Sequence, residues 1–266
     1  MSKLRPQDAA SRQDAGLGPD HSEALARGLH IMAVFDGTHR SLTLSEIAVA
    51  VDLPRATARR ALLTLVTLGY VEVEGRQFRL TSRVLRLASA YLTSNVVSTL
   101  LQPACDRIAT AIGISCTAAV LEGGEAVMIA RALPQQLVPA GAGIGYRLPA
   151  YCSALGRVLL AALSPEALST YLDNTALTAI TPHTLTRRPA VEAAIAAVRE
   201  SGFSYVDQEA ELGFHSVAVP VRRFDGRVIA ALNVGARVEQ ADRAEMVGSH
   251  LRTLLTQAEE TSACLI

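Results

Sequence analysis

Tryptophan is missing from this chain of 266 residues, and the aromatics together make up 4 % of it. Core bulk must therefore come from Leu, Val, Ile and Ala. Lysine occurs once, at Lys3, and every other base is arginine, a usage that reflects genome composition more than function. Cys105, Cys116, Cys152 and Cys264 have no close spacing. That excludes a disulfide framework and a C-x-x-C zinc site, and it makes a reduced, cytoplasmic chain the expectation. No run approaches transmembrane length, and the N-terminus lacks the apolar core of a signal peptide, so no membrane partner is expected. Net charge is missing too: Lys plus Arg balance Asp plus Glu at 25 each, which by itself does not favour binding to a polyanion.

What is present is an ample core, half the residues being apolar, and an uneven placement of charge. Between Glu23 and Asn95 there are 9 Arg against 6 acids; from Val96 onward there are 13 Arg against 16 acids. A basic head on an acidic body fits contact with nucleic acid at one end. Within that head, Thr43 and Glu46 form a T-x-x-E capping box, and Leu44, Ile47, Ala48 and Val51 give one apolar helix face. Asp52-Leu53-Pro54 breaks the helix, and Pro54 suits the first turn of the next. That helix carries Arg55, Thr57, Arg59, Arg60 and Thr64, with Ala58, Ala61, Leu62, Leu65 and Leu68 read as inward, and Gly69 ends it. Val71 and Val73, the turn Glu74-Gly75-Arg76, and Phe78 and Leu80 alternate as a hairpin does. Helix, turn, basic helix and hairpin in this order make a winged helix-turn-helix.

The domain plan that follows is a disordered tail over 1–21, rich in Asp, Gln, Ser, Gly and Pro, a winged helix-turn-helix over 22–81, a linker helix over 82–95 and a second domain over 96–266. The first helix runs Ser22 to Asp36, with Leu25, Leu29, Met32 and Phe35 on one side and Gly37-Thr38 closing it. The linker's apolar stripe reads as a dimer seam or as packing on the hairpin. In the second domain a helix spans Thr99 to Ile112, and strands at Ser115–Leu121 and Ala126–Leu133 flank a Gly-Gly turn. Gln135 to Gly145 is loop, and Tyr146-Arg147-Leu148-Pro149 leads into a helix from Ser153 to Leu163. Further helices begin at Ser164-Pro165 and Pro189. Strands follow at Gly202–Val206, Ser216–Arg222 and Val228–Ala236, and a helix closes the chain over Ala241–Glu260. Antiparallel hairpins with helices at both ends describe an α+β domain.

Four segments carry a resemblance. They are Ala26-Arg27-Gly28-Leu29 with Phe35; Leu53-Pro54 through Thr57, Arg60, Leu65 and Gly69-Tyr70; Arg147-Leu148-Pro149 through Gly156-Arg157-Val158-Leu159-Leu160-Ala161; and Asp207-Gln208-Glu209 through Gly213 and Ser216-Val217-Ala218-Val219-Pro220-Val221. In order and with these gaps, the chain resembles the IclR-type transcriptional regulators over nearly its whole length. The resemblance implies an N-terminal winged helix and a C-terminal GAF-like α+β effector domain with an antiparallel sheet, working as a homodimer or tetramer. Arg147 to Cys152, Gly156 to Ala161, and Asp207-Gln208-Glu209 with Glu211 are similar to the subgroup that controls protocatechuate and hydroxybenzoate catabolism. Those relatives are mostly activators that sense an aromatic acid or β-ketoadipate. Arg157 replaces a common Lys, and His215 departs from the Arg expected before the Ser.

On this reading the partners are double-stranded operator DNA, a small carboxylate and, for an activator, RNA polymerase; no cofactor, metal or catalytic residue is expected. Arg55, Thr57, Arg59 and Arg60 are assigned to the groove, Arg27, Arg76 and Arg79 to phosphates, and Ser45 joins the DNA-contacting set. For the effector, the turn Tyr151, Cys152, Ser153, Ala154, Leu155, Gly156 opens a helix whose backbone N–H groups suit an anion. On periodicity alone Ser153 is an ordinary N-cap; the resemblance favours the ligand. Arg131 on an apolar strand wants a carboxylate, either the ligand's or that of Glu122 or Asp207. The resemblance places Asp207, Glu209, His215 and Ser216 around the cavity. Enzymatic use of His215 with Ser216 is disfavoured, because neighbours on a strand point to opposite faces.

Overall fold

The computed structural model describes residues 20–37, 39–134 and 143–265. The tail up to residue 19, Thr38 and most of the expected loop over 135–145 lie outside the described residues. The chain divides into two compact units, residues 1–90 and 91–266.

In the first unit, α1 (Glu23–Ala33) begins at an N-cap, Ser22, whose side chain accepts from the Leu25 N–H. The expected capping box opens α2 (Leu44–Ala50): Thr43 N–H donates to Glu46 Oε2 at 2.7 Å, and Glu46 N–H donates to Thr43 Oγ1 at 3.3 Å. These bonds hold the Glu46 carboxyl below its usual range. Pro54 stands just outside α3 (Arg55–Thr67), as its N-cap, and Gly69 follows α3 at φ 76°, a left-handed value that suits glycine. The wing is β2 (Val71–Glu74) paired with β3 (Gln77–Leu80). A third strand escapes sequence reading: β1 (Leu42–Thr43) pairs with β3 and makes the sheet three-stranded. Two residues are too short to show alternation. Ile31, Ile47, Leu62, Leu65 and Val71 form the core. Leu68, read as inward, is half exposed, as is Leu29, and Leu25 is more so, while Met32 and Phe35 of the same α1 stripe pack against the core. Ile31 takes the inward position of α1, because α3 packs on the face that Ile31 presents.

Next come a short 3-10 turn (Ser82–Val84) and α4 (Leu85–Ser94), within which the division into units falls. The second unit opens with α5 (Val96–Ile112), capped by Asn95, whose side chain accepts from the Val97 and Ser98 N–H groups. This cap starts the helix earlier than the apolar pattern indicates. The sheet is six-stranded in the order β6-β5-β4-β9-β8-β7, with every pair antiparallel: β4 (Ser115–Glu122), β5 (Glu125–Ala132), β6 (Arg147–Pro149), β7 (Ser204–Asp207), β8 (Phe214–Arg222) and β9 (Val228–Arg237). The helices between are α6 (Ala154–Ala161), α7 (Pro165–Asp173) and α8 (Arg188–Ser201). The closing segment is α9 (Arg243–Glu245), a π turn (Met246–His250) and α10 (Leu251–Ala263).

Both faces of the sheet are covered, by different helices. On the first face Cys116, Ala118, Val217, Val219, Leu232 and Val234 pack against α5 and α10. On the second face Ala119, Ala218 and Ala231 pack against Ala154, Leu155, Val158 and Leu159 of α6. Small residues on the sheet let α6 approach closely. Gly156 instead lets the 3-10 turn Ala150–Cys152 fold back on α6: a Cβ there would lie 2.2 Å from the Ala150 Cα.

Candidate functional site

On α3 of the first unit, Ala58, Leu62 and Leu65 face the core, which leaves Arg55, Arg59 and Arg60 exposed. These three and Arg76, in the wing turn, make no ion pair among the described residues. They are among the guanidinium groups of this unit that remain available to a phosphate. Thr57 is half-buried toward α1, and Ser45 is exposed in the first turn of α2. Arg27 and Arg79, by contrast, already have partners within the unit. Arg27 pairs with Glu23 at 3.1 Å, and Arg79 with Glu72 at 2.7 Å and Glu74 at 3.2 Å. The Glu72 hydrogen bond raises the Arg79 pKa, so the wing neutralises its own cation. An apolar groove of about 740 Å³ runs between α1 and α3 and is lined in part by Leu25, Leu29, Met32, Leu68 and Leu87.

In the second unit, strand register decides which expected effector residues share a face. The pairs Arg131–Thr117, Thr117–Asn233, Asn233–Ala218 and Ala218–Ser204 form one row across β5, β4, β9, β8 and β7. The adjacent row is Ser115–Gly235–Ser216–Val206. Ala218 and Val206 pack with α6, so both rows belong to the second face. This stretch of the face is unusually polar for a buried surface. Arg131 is half-buried with Nε and Nη1 wholly enclosed and without an acceptor. Desolvation lowers its pKa. Ser204 Oγ is buried and unpartnered as well. Neither structural partner weighed for Arg131 is used, since Glu122 pairs with Arg147 and Asp207 faces elsewhere. Instead Gln102 brackets the Arg131 backbone, its amide donating to the Arg131 carbonyl and its Oε1 accepting the Arg131 N–H.

The turn before α6 is only in part what the sequence suggests. Ser153 Oγ accepts the Gly156 N–H at 3.1 Å and donates to the Pro149 carbonyl at 3.1 Å, so it is an N-cap with its hydrogen bonds made. The open side of Gly156 is filled by the Ala150 backbone, which leaves no room there for a ligand. The amides of Ala154 and Leu155 retain no acceptor among the described residues. Tyr151 is turned away: its hydroxyl donates to the Thr178 carbonyl at 2.7 Å, and its ring packs with Leu160, Leu168 and Leu172. The Cys152 thiol is a core group pushed up to about 11 by burial.

Asp207 and His215 do not join Ser216. They pair with each other across β7 and β8 in a row of the first face. There His215 Nδ1 lies 3.0 Å from the Tyr205 hydroxyl, while Nε2 is buried without a partner. Asp207 is exposed. Sequence reading missed Thr117 and Asn233, whose side chains make no hydrogen bond among the described residues and which follow Arg131 in turn along its row. Only the cross-strand pairing singles them out. It also missed what Arg157 and Glu209 do. Arg157 Nη2 donates to Glu209 Oε2 at 2.6 Å, both side chains are buried, and the Leu185 N–H donates to the same carboxylate oxygen at 3.0 Å. Thr181 and Thr184 bind the Gln208 and Glu209 carbonyls. One ion pair thus ties α6 to the loop before β8 and to the segment at 181–185.

Among the described residues, no single helix is long and apolar enough to cross a membrane. Nor does any group of three or more His, Cys, Asp or Glu side chains gather there to hold a metal ion.

Comparison with known proteins fits this architecture. The IclR helix-turn-helix domain matches residues 24–75, and the bacterial transcriptional regulator IclR C-terminal domain matches residues 89–263. The chain is 40 % identical over 243 residues to the Pca regulon regulatory protein of Pseudomonas putida, covering 91 % of this chain and 84 % of that one. It is 32 % identical over 246 residues to the p-hydroxybenzoate hydroxylase transcriptional activator of Acinetobacter baylyi, covering 91 % of each. A solved IclR homologue from Microbacterium hydrocarbonoxydans, in complex with 4-hydroxybenzoate, superposes with a TM-score of 0.75 at 27 % identity, over 91 % of this chain and 99 % of that one.

Proposed function

The chain belongs to the IclR family of bacterial transcriptional regulators, and from that premise we propose that it activates an aromatic-acid catabolic operon on sensing a hydroxylated benzoate, with 4-hydroxybenzoate and protocatechuate as the leading ligands. The observation that carries the ligand class is Arg131. A guanidinium with two enclosed, unpaired nitrogens lacks an anion, and a carboxylate matches its fork. Thr117, Ser216 and Asn233 supply hydroxyl and amide groups on the same face for a ring hydroxyl. The free amides of Ala154 and Leu155, with the positive end of the α6 dipole, add donors for a carboxylate. The names of the Pseudomonas and Acinetobacter relatives and the 4-hydroxybenzoate complex support the same chemistry. The Acinetobacter relative's name supports activation.

For DNA, Arg55, Arg59 and Arg60 enter the major groove and Arg76 meets the backbone beside it. Two copies join through the apolar groove between α1 and α3, whose exposed leucines form a patch that a lone chain in water would not favour. Ligand binding shifts the effector unit between states that hold the paired winged helices differently on a palindromic operator.

A thermal-shift panel of 4-hydroxybenzoate, protocatechuate, other hydroxylated benzoates, β-ketoadipate, glyoxylate and pyruvate tests the ligand class. At about a hundredfold over its Kd, a true ligand adds about 2.7 kcal/mol. A shift with a hydroxybenzoate supports the reading. A shift with β-ketoadipate or glyoxylate alone replaces the aromatic ligand with an aliphatic one, and no shift at all overturns the carboxylate assignment.

A further inference from the structure

At the other end of α6 the second unit has a pocket of about 320 Å³. It lies where the C-terminal ends of α6 and α8 meet the end of β8 and the turn into β9. Among its lining residues are Arg199, Arg222 and Arg227, and no carboxylate. None of the three makes an ion pair among the described residues. The nearby acid, Asp225, is engaged outside the pocket: its Oδ2 accepts from Arg223 Nη2 at 2.8 Å, and its Oδ1 accepts the Arg227 N–H at 3.0 Å.

Two of the guanidinium groups are fixed in place without being neutralised. Arg199 donates from Nε to the Ala161 carbonyl and from Nη2 to the Leu163 carbonyl, both at 2.9 Å, and so caps α6. Arg222 donates from Nη1 to the Gly226 carbonyl at 3.0 Å. Nη1 of Arg199, and Nε and Nη2 of Arg222, keep their donors. The helix ends oppose an anion here, but each brings only about half a negative charge. Asp225 lies close enough to feel Arg227 but is itself offset by its ion pair with Arg223, so against three full cations the pocket stays positive. A preformed concave site with forked donors and that surplus suits a doubly charged tetrahedral oxyanion.

We propose that this pocket is a second ligand site, which takes the dianionic phosphate group of a small phosphate compound. Arg199 and Arg222 form its fixed walls, and Arg227, exposed on the β8–β9 turn, closes over the group. The site stands apart from the polar rows through Asn233 and Ser216, sharing no lining residue with them, and it does not depend on the aromatic-acid reading.

Isothermal titration of the full chain with inorganic phosphate, and separately with glycerol 3-phosphate, tests it. Saturable binding of inorganic phosphate assigns the free ion; tighter binding of the ester assigns a phosphorylated metabolite; either result supports the site. R222Q and R227Q change exposed side chains, and each should lower the affinity about tenfold, as expected for loss of one charged hydrogen bond. R237Q, at the opposite end of β9, should leave it unchanged. Circular dichroism confirms that each variant is folded. No saturable heat with either compound up to about 10 mM, a range that would detect even millimolar affinity, would overturn the proposal. So would undiminished binding in the R222Q/R227Q double variant.

Discussion

Arg131 keeps its side chain in a half-buried place at a cost and without an internal partner, while its backbone is held separately by Gln102. Removing the guanidinium should therefore spare the fold and injure only recognition. R131M is expected to melt at or above the temperature of the parent chain, because it relieves an unpaired buried cation, and to bind 4-hydroxybenzoate at least about tenfold more weakly. Thermal melting and calorimetry read the two effects separately, and parental affinity in R131M would remove Arg131 from the site. Glu209 should behave in the opposite way. Its loss leaves Arg157 charged and enclosed, so E209A is expected to lower stability by about 3–5 kcal/mol in urea unfolding. Both residues stand in segments that sequence reading singles out, but only the structure separates their roles. Arg131 is free and Arg157 is paired because Glu209 arrives from a loop 52 positions away.

Among the elements, α3 and the wing divide the DNA-contacting work unequally. Arg59 is unpaired, whereas Arg79 is held by Glu72 and Glu74. In salt-dependent DNA titrations, R76Q, at the unpaired backbone-facing arginine of the wing turn, should reduce the slope of log K against log salt by about one, and R79Q by clearly less. Equal changes would show that the wing releases Arg79 on binding. Helix starts are legible at Ser22, Thr43 and Ser153, whose side chains cap their own helices, but not at Asn95, whose cap precedes the apolar pattern. The hairpins were legible from glycines in their turns. What pattern could not give was the partner of each face. Periodicity marks Leu25, Leu29 and Leu68 as apolar but does not say whether the covering surface lies within the chain. The effector residues suffered from a related limit. As strand neighbours His215 and Ser216 point to opposite faces, so they cannot both line one cavity on the sheet, and only the β7–β8–β9 register shows that Ser216 is the one on the Arg131 face.

For the molecule as a whole, the exposed leucines of the first unit bear on assembly. L29D combined with L68D should shift the chain toward monomer in sedimentation velocity and weaken operator binding, with effector affinity unchanged; a persistent dimer would move the interface elsewhere. The row Arg131–Thr117–Asn233–Ala218–Ser204 has a different reach. It draws one residue from each of five strands, so its members meet only while every register is kept. Inserting or deleting a residue in any of β4, β5, β7, β8 or β9 would turn that strand's member to the opposite face and scramble the constellation at a stroke. Lineages that drift toward new ligands are therefore confined to point replacements along the row. Their strands should keep constant length while single positions such as Ala218 and Asn233 vary, and length changes should collect in the loops.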